Sequence, residues 1–79
     1  KMDIGKAKEY FGLGLIQGAV VRSSSVLHNG WTIELSGNIG SAQPTLHTAR
    51  GDVRQFKTLD AAAKVVREIG LREWRVITD

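Results

Sequence analysis

Two histidines, a serine triplet, a glycine-rich stretch and eleven cationic side chains are the residues of this 79-residue chain whose types could do chemistry. His28 and His47 are the only imidazoles. Acid–base catalysis needs two groups of near-neutral pKa within reach of one substrate, and an RNase-like set of two histidines and a lysine meets that need by type alone. No spacing brings His28 to His47, since one flanks an expected hairpin turn and the other lies in an expected strand. A metal site needs three or four converging ligands, and helical His-x-x-x-His spacing is missing. Cysteine is absent, which excludes disulfides, thiolate metal sites and a cysteine nucleophile. Ser23-Ser24-Ser25 lacks the Gly-x-Ser-x-Gly elbow and an oriented base, and reads as the polar part of a strand. Gly12-Leu13-Gly14 with Gly18 would need a strand before it and a helix after it to cradle a phosphate, and the order here is the reverse. Arg50-Gly51-Asp52 spells an integrin-binding tripeptide but reads as a hairpin turn. These residues point to a non-enzymatic protein with no cofactor and no metal.

Charge is the remaining lead. Eleven Lys and Arg against eight Asp and Glu leave a formal +3, and the pI is near 9.7. A pI above 9 belongs to the footprint of nucleic-acid binders, although no basic run or stripe is present. Between Ile16 and Ala49 the only charged residues are Arg22 and Glu34, so an electrostatic surface must come from the C-terminal half. Its candidates are Arg50, Arg54, Lys57, Lys64, Arg67, Arg72 and Arg75, set against five acidic residues. Ordinary solvated surface charge stands beside that reading at even weight. Guanidinium and ammonium groups can hold phosphates, which fix position and not sequence. Of the five aromatics, strand periodicity turns Trp31 and Phe56 inward, which argues against a base-stacking platform of the RRM type and for backbone contact.

The elements that must position these side chains follow from turns, caps and periodicity. Asn29-Gly30 suits a type I′ hairpin turn. Pairing across it sets Val26 opposite Ile33, Ser24 opposite Leu35 and His28 opposite Trp31, in a hairpin over about Ala19–Gly37. Gly37–Pro44 reads as a loop. A second hairpin is expected from Thr45–Arg50 and Val53–Lys57, turning at Gly51-Asp52, with His47 opposite Phe56 and Leu46 facing outward. Thr58 is an N-cap for the main helix, whose core stripe is Leu59, Ala62, Ala63, Val66 and Ile69. Gly70 suits the left-handed residue past its end, with Leu71 folding back on Val66. A short strand is expected over Glu73–Thr78. At the amino end, Asp3 caps a helix from about Ile4 to Phe11.

Assembled, the chain predicts a single α+β domain over 1–79, divided into 1–15, 16–57 and 58–79. Its small antiparallel sheet of about five strands (two hairpins and a C-terminal strand) carries the long helix and the N-terminal helix on one face. A domain this small leaves a free edge or sheet face, so a homodimer is expected. No apolar run approaches the ~18 residues of a membrane span, and no signal-peptide core follows the start. Met2 reads as the natural initiator with Lys1 an extra residue, and the expected compartment is the bacterial cytoplasm.

The run from Arg54-Gln55-Phe56 through Leu59-Asp60-Ala61-Ala62, then Arg67 to Gly70 and Trp74-Arg75-Val76, resembles the tail of small accessory proteins of bacterial plasmids and integrative elements. The resemblance covers the last third of the chain. It implies an accessory or regulatory role on mobile DNA, such as maintenance, transfer or replication control, and it supplies no catalytic residue. The resulting expectation is a nucleic-acid-binding protein, with DNA preferred to RNA. The alternative is a small inhibitor docking on a host protein or defence complex, as anti-CRISPR proteins do.

Overall fold

The computed structural model describes residues 2–24, 30–39 and 44–78. Its elements run α1 (Ile4–Gly12), β1 (Ile16–Ser24), β2 (Gly30–Gly37), α2 (Leu59–Ile69) and β3 (Arg75–Ile77). Both helices begin where a side chain satisfies a free amide. The Asp3 carboxylate accepts from the Lys6 N–H at 2.8 Å, and the Thr58 hydroxyl accepts from the Ala61 N–H at 3.1 Å. α2 ends as its sequence requires. Gly70 takes φ 127°, its N–H and that of Leu71 donate to the carbonyls of the last turn, and Leu71 is buried.

The sheet departs from the expected antiparallel, five-stranded form. Among the described residues it is a three-stranded mixed sheet in the order β2-β1-β3, with β1 antiparallel to β2 and parallel to β3. The parallel pair arises because α2 carries the chain back across the sheet, so β3 returns in the direction of β1. The first hairpin exists, but its register is shifted by five residues. Ile33 lies opposite Val21, Leu35 opposite Ala19 and Ser24 opposite Gly30. The expected partners Val26 and His28, and the expected turn residue Asn29, lie outside the described residues. An odd shift exchanges the faces of a strand. Ala19 and Val21 therefore take the core positions opposite Leu35 and Ile33. An irregularity between Ile16 and Gly18 resets the alternation once more, so Ile16 is also buried.

The second hairpin is reduced to isolated bridges. His47 pairs with Val53, and the Gly51-Asp52 turn is closed by the Thr48 N–H donating to the Asp52 carbonyl at 2.7 Å. The remainder of 44–56 lies along the outer edge of β2. Trp31 and Phe56 exchange backbone bonds of 2.8 and 2.9 Å, the Leu35 N–H donates to Pro44, and the Leu46 N–H donates to Ile33. This attachment buries Leu46 completely beside Phe56, a combination the expected regular hairpin forbade. The segment blocks the β2 edge without becoming a strand.

Both helices cover the inner face. From α2 the buried residues are Ala62, Val65, Val66 and Ile69, so Val65 replaces the expected Leu59, which is 37% exposed. α1 contributes Ala7, with Phe11 packed against the same core. The outer face carries Gly18, Val20, Arg22, Thr32, Glu34 and Ser36, where Arg22 and Glu34 form an ion pair at 3.1 Å. Among the described residues no helix is long and apolar enough to cross a membrane.

Candidate nucleic-acid interface

The seven candidate cations do not form one surface. Arg50, Arg54 and Lys57 belong to the segment on the outer edge of β2, whereas Arg72 and Arg75 lie at the opposite edge of the sheet, on and before β3. In the first group the Arg54 guanidinium lies 5.2 Å from the centroid of the Phe56 ring, where it covers a core aromatic. Arg50 is exposed in the turn, and Lys57 is exposed just before the Thr58 cap. Lys64 lies on the exposed side of α2 between two carboxylates, Asp60 and Glu68. Lys64 shares a depression on α2 with Arg67, and the two carboxylates Asp60 and Glu68 line it as well.

Arg67, Arg72 and Arg75 group pairwise around Trp74. Its half-buried ring lines two adjoining depressions. One is formed with Arg67, Gly70, Leu71 and Arg72, the other with Arg72, Arg75 and the first half of β1. The last turn of α2 supplies Arg67, the Gly70 turn redirects the chain, and β3 fixes Arg75 beside Val20. All three arginines are exposed, and among the described residues none is in a salt bridge. The nearby Glu68 is instead held by Lys8 of α1 at 3.6 Å.

The larger depression is an open groove of about 800 Å³, and it exists because β3 is short. β3 joins β1 only from the Val20–Arg75 pair onward, so residues 72–74 stand off from Gln17, Gly18 and Ala19. Its β1–β2 side is formed by Gln17, Gly18, Ala19, Val20 and Ser36, and a Cβ on Gly18 would sit 2.8 Å from the Ser36 Oγ. Because the carbonyl of Ile33 and the amide of Leu35 face the 44–46 segment, the even residues of β1 bond to β2 and the odd ones point toward β3. The Ala19 N–H thus points toward 72–74, ahead of the first β1–β3 pair, into the groove. Glu73 is the one acid among the described residues lining it.

The imidazole reading gains no partner. His47 Nδ1 lies 2.6 Å from the Thr45 carbonyl, where it donates, and His28 lies outside the described residues. Among the described residues no group of three His, Asp or Glu could hold a metal ion.

Trp74 is the site residue that sequence reasoning missed. Strand alternation grouped it with Val76, facing Arg75 and Ile77 across the strand, but it precedes β3 and is freed from that alternation. The available signal was its position between Arg72 and Arg75, four residues past a helix-ending glycine. Comparison with known proteins finds no similarity: no family model, no curated protein and no solved structure matches the chain.

Proposed function

We propose that this is a non-enzymatic nucleic-acid-binding protein, an accessory or regulatory factor of a bacterial mobile element that grips phosphates through Arg67, Arg72 and Arg75. One observation carries the reading: Arg67, Arg72 and Arg75 are exposed, line two depressions that share Arg72 and Trp74, and are in no salt bridge among the described residues. Guanidinium forks match phosphate oxygens, and releasing the counterions of those phosphates drives association. The mobile-element context rests on the resemblance of the last third of the chain, the cytoplasmic setting on the sequence's lack of a membrane-spanning run or signal-peptide core, and DNA is the expected polymer. Arg50, Arg54, Lys57 and Lys64 are outlying charges in this reading and do not line the contact surface.

The protein acts as a homodimer in this account. β2 has its outer edge covered by the 44–56 segment, whereas β3 has no partner on its outer edge among the described residues, and Val76 there is 44% exposed. The test of the reading is fluorescence anisotropy of labelled DNA with the wild type and with the double variant Arg72→Glu, Arg75→Glu. The variant should keep its fold and lose affinity for every sequence alike. Equal affinity would remove both residues from the site, DNA binding that ignores salt would refute phosphate contact, and no DNA binding at low salt would leave a protein partner as the alternative.

A further inference from the structure

We infer that the groove between β1 and the 72–75 segment takes one unpaired nucleotide, so that the form bound is single-stranded. The inference rests on the nucleic-acid reading above and narrows it to one strand form. Three features of the groove carry it, and phosphate contact alone needs none of them. Trp74 offers a half-buried aromatic wall beside two guanidinium groups. A base has a π-face for such a ring, and in a duplex that face is already stacked. Gly18 has no side chain to stand between a ligand and the sheet backbone, and a Cβ there would crowd the Ser36 Oγ at 2.8 Å.

The third feature is the choice of polar groups. Gln17 and Ser36 each offer a donor and an acceptor to the edge of a base, and both line the groove. The Glu73 carboxylate, adverse to a phosphate, accepts a hydrogen bond from the exocyclic amino group of cytosine or adenine. The Ala19 N–H and the Arg72 and Arg75 guanidinium groups remain for the phosphate. A duplex can reach only those cations and leaves Trp74 uncovered, so the groove adds nothing to duplex affinity.

The experiment is anisotropy of a labelled oligonucleotide of about 15 residues, long enough to cover a site of this kind. It is measured as a single strand and as a duplex, at about 50 mM salt, with the wild type, Trp74→Leu and Trp74→Phe. The wild type should bind the single strand more tightly than the duplex. Trp74→Leu should weaken the single strand about 5- to 150-fold and leave the duplex unchanged. Trp74→Phe, which keeps a ring, should retain most of the affinity. If Trp74→Leu does not fold, Gly18→Val puts a side chain between the ligand and the sheet backbone and should give the same selective loss. Equal binding of both strand forms, or equal loss on both, would overturn the single-strand assignment while leaving phosphate binding intact. Failure to bind either form would instead overturn the nucleic-acid reading itself.

Discussion

Gly70 joins the fold to the groove, and Gly70→Ala is the substitution whose cost can be worked out most fully. At φ 127° and ψ −4° the residue lies far from the left-handed well that an L side chain tolerates, which costs about 1–3 kcal/mol. The added methyl would also sit 2.5 Å from Phe11 Cε2 and 2.7 Å from Cδ2, well inside contact distance. The Phe11 ring must turn away from α2, and the packing lost there costs roughly 1 kcal/mol more. The sum is about 2–4 kcal/mol, a large part of what holds a domain this small together. Urea unfolding should show a lower midpoint at unchanged slope, and thermal unfolding should fall by on the order of 10–25 °C. Phe11→Ala relieves the clash, so the double variant should be more stable than the two single losses predict, by about 1 kcal/mol. A Gly70→Ala protein that melts with the wild type would refute the backbone argument. Strict additivity with Phe11→Ala would refute the steric one.

Two further predictions bear on the core and on the dimer. Trp31 is half-buried on the inner face and exchanges two backbone bonds with Phe56; Trp31→Ala should cost about 2–3 kcal/mol, below the ~3–5 of a fully buried ring, and an unchanged melting temperature would show that the ring does not pack. Val76→Pro tests the open edge. Arg75 and Ile77 direct their backbone bonds to β1, so the Val76 N–H points outward and proline removes only that donor. Light scattering should find the wild type dimeric and Val76→Pro monomeric with an intact circular dichroism spectrum. A dimeric variant, or a monomeric wild type, would contradict pairing through β3.

The helices were legible in the sequence because their signals are local. Asp3, Thr58 and Gly70 each act within one turn of their own position. The hairpin was legible in its existence and in the inward face of β2, Trp31, Ile33 and Leu35, but not in its register. Asn29-Gly30 favours one pairing, while Ala19 and Val21 take the core positions opposite Leu35 and Ile33, and that competition is settled by tertiary packing. The fate of 44–56 was hidden for a similar reason. Leu46 and Phe56 bury together only because the segment attaches to β2, a contact far away in sequence. Of the site, the arginines were visible as residue types. Their grouping around Trp74 was not, because it depends on β3 returning parallel to β1 and pairing only from Val20 onward.

The central claim is that Arg72 and Arg75, with Arg67, neutralise phosphates at one surface, and the salt dependence of binding tests it most directly. Three phosphates neutralised on a single strand predict a slope of log K against log salt near −2, from about −0.7 per contact. The doubly neutral variant Arg72→Gln, Arg75→Gln should retain a slope of roughly −0.7, the share of one remaining cation. Binding whose slope is the same in the wild type and the variant, or no binding even at low salt, would contradict the account.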